Sequence, residues 1–63
     1  MVVPENLFEG RAGVELFEAG DEWCVRIVEN GDEQVSSFVI ESFAMAFAEG
    51  QRIRLGLDGV VRR

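Results

Sequence analysis

Histidine, lysine and tyrosine are missing from this chain altogether, and cysteine and proline occur once each, as Cys24 and Pro4. General acid–base chemistry draws first on histidine, then on carboxylates, lysine, tyrosine and cysteine, so three of its usual carriers are absent. A single cysteine excludes an intramolecular disulfide, and one cysteine without histidine cannot assemble the ligand set of a structural zinc site. Long apolar runs are absent as well. The longest uncharged stretches, 34–40 and 42–48, are far too short to span a bilayer. The first residues lack the basic-then-apolar pattern of a secretory signal. With a free thiol, that leads to an expectation of a reducing cytoplasm.

What remains is a chain of 63 residues, nearly half of them apolar, with too little Pro and Ser for disorder to be the default. That length makes one domain and no more. A domain so small buries only about 60% of its unfolded surface, and it usually needs a disulfide, a metal or a partner for added stability. The first two are excluded, so good packing or a homodimer is expected to supply it.

The net charge of −6 is unevenly spread. Residues 1–51 carry eleven carboxylates against Arg11 and Arg26, whereas 52–63 carry Arg52, Arg54, Arg62 and Arg63 against Asp58 alone. An acidic body repels nucleic acid and anionic membranes. The basic end is a candidate contact for an anion or a partner, including an acidic patch on a second copy.

Hydropathy alternation sets the architecture. Residues 1–12 read as a flexible arm around Pro4, with Val2, Val3, Leu7 and Phe8 free to lie on the body or on a partner. Val14 and Leu16 mark a first strand, ended by the turn signal Ala19-Gly20-Asp21. Trp23, Val25 and Ile27 alternate with Cys24, Arg26 and Val28 in a second strand. A loop around Gly20-Asp21 sets Leu16 beside Val25 and Val14 beside Ile27. Asn30-Gly31 suits a two-residue hairpin turn. That loop opposes Glu29 to Asp32, a like-charge pair that costs stability, so loops of three or four residues stay open. A two- or four-residue loop puts Phe38 on the Trp23 face, and a three-residue loop puts Val35 and Val39 there. The third strand covers about 34–40.

A helix follows from Glu41 or Ser42, with Ser42 as candidate N-cap and Phe43, Ala44, Phe47 and Ala48 as one broad apolar stripe. Its end has two readings. Either Gly50 stops it and 51–57 becomes a short fourth strand, or the helix runs on to about Leu55 and tolerates Gly50. The longer helix is favoured because a short one covers little of a three-stranded sheet. The fold expected is therefore α+β, a three-stranded antiparallel meander with one helix on one sheet face. It occupies 13–57 and is followed by a tail over 58–63.

No constellation for chemistry stands out. Cys24 has only Arg26 near it as a cation and reads as an inert strand thiol. The segment 29–33 lacks calcium-loop spacing and reads as a solvated turn. The glycines match no phosphate-binding fingerprint. No catalytic, metal or cofactor residues are assigned, and no small-molecule substrate is evident. Trp23, Phe38, Phe43 and Phe47 read as core. Phe17, Cys24 and Val28 fall on the sheet face away from the helix, as an apolar patch of the kind that marks an interface.

Trp23, Val25 and Arg26, then Phe38, then the runs 47–52 and 54–56 resemble a group of short, uncharacterised bacterial proteins with a Trp-containing β-meander and an Ala-rich helix. The resemblance spans 13–57. It implies the same architecture and no assigned activity. The expectation for function is a non-enzymatic interaction module that self-associates in a bacterial cytoplasm. The alternative is a nucleic-acid accessory protein working through its C-terminal arginines.

Overall fold

The computed structural model describes residues 12–63. The expected N-terminal arm lies outside the described residues, apart from Ala12. Three strands, β1 (Gly13–Ala19), β2 (Glu22–Glu29) and β3 (Asp32–Phe38), form an antiparallel meander. One helix, α1 (Glu41–Leu55), follows, and a two-residue strand, β4 (Val61–Arg62), completes the sheet in the order β3-β2-β1-β4.

Both hairpins turn on two residues. Gly20 takes a φ of 63° between Ala19 and Glu22, and Leu16 pairs with Val25 and Val14 with Ile27, as the sequence implies. In the second hairpin Asn30 and Gly31 take φ of 53° and 85°. This is the double positive-φ geometry whose twist matches that of the strands. Glu29 therefore does face Asp32, and Phe38 falls beside Trp23 on the helix side. The turn preference outweighs the repulsion between two carboxylates at the wet end of a sheet, where screening is strong.

The helix takes the longer of the two readings. It passes through Gly50 without stopping and closes at Gly56, whose φ is 71°. There the Gly56 N–H donates to the Ile53 carbonyl at 3.1 Å and the Leu57 N–H to the Arg52 carbonyl at 3.0 Å, the paired bonds of a Schellman ending. Residues 51–57 thus supply the last helical turn and its cap, not a fourth strand. At the start, Ile40 rather than Ser42 holds the N-cap position, and no side-chain hydrogen bond caps the helix. The Phe43 and Ala44 N–H groups are taken by the Ile40 carbonyl, each at 3.2 Å.

The fourth strand comes from the segment expected to be a tail. After α1 has crossed the sheet from the β3 edge, Val61 and Arg62 lie parallel to β1 beside Glu15 and Leu16. The Arg63 N–H donates to the Leu16 carbonyl at 3.0 Å. Parallel neighbours need a long crossover, and α1 provides it.

The core lies between α1 and one face of the sheet. Val14, Leu16, Val25 and Ile27 meet Ala44 and Ala48, with Trp23, Phe38, Phe47, Leu55, Leu57 and Val60 around them. The two alanines are fully buried. Their small side chains let the helix axis come close to the strands. The Phe38 and Phe47 rings sit 5.4 Å apart at a tilt of 43°, a favourable aromatic geometry.

Candidate interaction surface

The four C-terminal arginines all engage carboxylates. Arg52 pairs with Glu49 at 2.8 Å and also donates to the Leu57 carbonyl at 3.0 Å. Arg54 reaches Glu29 on the sheet at 3.2 Å, Arg62 reaches Glu41 at 2.8 Å, and Arg63 pairs with Glu15. The charge asymmetry of the sequence is thus met inside the chain, as the basic end closes onto the acidic body. The arginines do not gather into one stripe. They are spread from the hairpin end of the sheet to the start of the helix.

On the sheet face away from α1, Phe17, Cys24 and Val28 share a side, since Phe17 is the cross-strand partner of Cys24. They do not make an exposed apolar patch. Cys24 and Val28 are buried and Phe17 is half-buried. The Cys24 Sγ lies 3.7 Å from the Ser37 Oγ. Between Cys24 and Val28 stands Arg26, tied to Glu33 at 2.8 Å and to Glu15 at 3.5 Å. Glu15 is only 1% exposed, although alternation with Val14 and Leu16 points it to the sheet face away from the helix. The signal was available: pairing Leu16 with Val25 necessarily sets Glu15 against Arg26. Its second partner, Arg63, arrives through β4, which the local pattern does not announce.

The apolar surface that is open lies elsewhere. Phe43, expected in the core, is 61% exposed, Ile53 is 67% exposed, and Val39 at the entry to the helix is 78% exposed. Along α1, Phe43, Ala46, Gly50 and Ile53 are all exposed and follow one another at intervals of three, four and three residues. That spacing is one helix face, and it lies opposite the Ala44/Ala48 face that meets the sheet. In the sequence the two faces merge into one broad stripe, because Phe43 is adjacent to Ala44 and one turn from Phe47. Two residues sharing a turn can still diverge when the helix rolls its smallest side chains toward the sheet, as it does here.

A polar depression of about 320 Å³ lies beside the second hairpin, lined by Ile27, Glu29, Asn30, Asp32, Gln34 and Arg54. The Arg54–Glu29 pair occupies its wall. Among the described residues, no group of three or more Cys, Asp and Glu side chains converges as metal ligands, and no helix is long and apolar enough to cross a membrane. Comparison with protein-family models, with curated proteins and with solved structures finds no match to this chain.

Proposed function

We propose that this chain is a non-enzymatic protein-interaction module that self-associates. The observation that carries the reading is the uncharged outer face of α1, where Phe43 and Ile53 stand in solvent. A contiguous apolar face is uncommon on a soluble monomer and typical of an interface. A domain of 63 residues gains proportionally more than a large one from burying such a face. The residues of Phe17, Cys24 and Val28 contribute less to this reading, since two of the three are already buried. Nucleic acid is the rival partner. The engagement of Arg52, Arg54, Arg62 and Arg63 with carboxylates weighs against it, because a phosphate would have to displace an existing ion pair at each. A buried, free Cys24 fits a reducing compartment, and a bacterial cytoplasm is the compartment this reading proposes.

Sedimentation velocity over micromolar to millimolar concentrations tests the proposal. A particle of twice the 7.0 kDa chain mass is expected. A single 7.0 kDa species throughout would refute it.

A further inference from the structure

We infer that the outer face of α1 pairs with the same face of a second copy, the two helices running antiparallel; the inference rests on the self-association proposed above and specifies its geometry. Four observations carry it. The face reads Phe43, Ala46, Gly50, Ile53, which is large, small, small, large. Such an order is self-complementary about a two-fold axis. With the chains reversed, Phe43 of one copy lies across from Ile53 of the other, and Ala46 lies across from Gly50.

The second observation is Gly50 itself. It sits inside the helix without a positive φ, and a Cβ built there would meet nothing within 4 Å. The fold of one chain therefore has no need of glycine at this point, although glycine is among the poorest helix formers. Close approach of a second helix does need it, because interaxial distance is set by the side chains at the crossing.

Charge is the third. The whole chain carries −6, but α1 holds Glu41 and Glu49 against Arg52 and Arg54 and is neutral. Pairing through it avoids the repulsion that other surfaces would incur. Antiparallel order also aligns the macrodipoles of the two helices favourably. Fourth, Val39 and Ile40, both exposed at the start of the helix, extend the apolar face to where the Ile53 end of the second copy would lie.

The competing surface is the open edge of β3, whose Val35 is also exposed. Sedimentation of the wild-type chain beside Phe43→Glu, Gly50→Leu and Val35→Glu separates the two. All three positions are exposed, and Gly50→Leu raises helix propensity, so circular dichroism should stay native. Phe43→Glu and Gly50→Leu are expected to weaken dimerisation by about tenfold or more, while Val35→Glu leaves it unchanged. Orientation is read by oxidation in a Cys24→Ser background. Phe43→Cys mixed with Ile53→Cys should form the mixed disulfide in preference to either self-pair. A wild-type monomer overturns both this inference and the proposal beneath it. A wild-type dimer that survives Phe43→Glu and Gly50→Leu, or that couples Phe43→Cys mainly to itself, overturns the antiparallel helix pair and leaves self-association standing.

Discussion

Glu15 shows how a single side chain can tie distant parts of this fold together. Its carboxylate is withdrawn from water and held between Arg26 of β2 and Arg63 beyond β4. Taking charges out of water is expensive, and a buried pair repays that cost only while both partners are present. Arg26→Met should therefore destabilise the fold by about 3 kcal/mol, the usual cost of leaving a buried charge short of its partner. The double change Glu15→Leu with Arg26→Met should recover most of that loss. Urea unfolding midpoints at unchanged slope measure both, and a double variant no better than Arg26→Met would count against the pairing. Cys24 offers a second readout at this scale. A thiol buried as this one is should resist alkylation in the native protein and react at once in urea, so its labelling should track opening of the sheet. The Glu15–Arg26 contact was legible in principle from strand register. The burial of Glu15 was not, since alternation alone assigns a carboxylate between Val14 and Leu16 to water.

Among the elements, the Asn30-Gly31 hairpin was the plainest signal in the sequence and the structure follows it, even at the cost of facing Glu29 with Asp32. Replacing Asp32 with lysine turns that pair attractive and should add a few tenths of a kcal/mol. Gly31→Ala should cost about 1–2 kcal/mol, because a side chain is strained at a φ of 85°. The helix was legible in its length and in Ala44, Phe47 and Ala48 of its inner face, and less so at Phe43 and at its ends. Ser42 has the chemistry of an N-cap, yet Ile40 occupies that position; tertiary packing of Ala44 and Ala48 fixes where the first turn must begin and overrides the local preference. Gly50 is the element's weak point. Gly50→Ala adds a Cβ into open space at a helical φ, so the monomer should gain about 1 kcal/mol. For a domain of this size that corresponds to a rise of about 4–8 °C in melting temperature, measured at concentrations low enough to exclude association. No gain would mean that the glycine has a role within the single chain.

At the scale of the whole molecule, the segment after the helix carries more than its sequence suggests. Residues 58–63 read as a tail, and a strand of two residues has no periodicity to detect. Its place is set by the crossover of α1 instead, which returns the chain to the open edge of β1. There Val60 packs on the core, Val61 and Arg62 pair with β1, Arg62 holds Glu41 at the start of the helix at 2.8 Å, and Arg63 closes on Glu15. The basic end thus latches both layers, and the excess of arginine in the last residues is the only trace of this in the sequence. Removing residues 60–63 should have two effects. Stability should fall by about 3 kcal/mol, from lost apolar contact at Val60 and from a buried carboxylate left with one partner fewer. The freed edge of β1, a strand that carries apolar Val14 and Leu16, should also become a template for aberrant pairing. Light scattering should then rise with time in the truncated chain and not in Val60→Ala, which keeps β4 and loses only the packing. If both variants lose stability equally and neither aggregates, the segment contributes through the Val60 side chain alone and the closure of the β1 edge by β4 has no protective role.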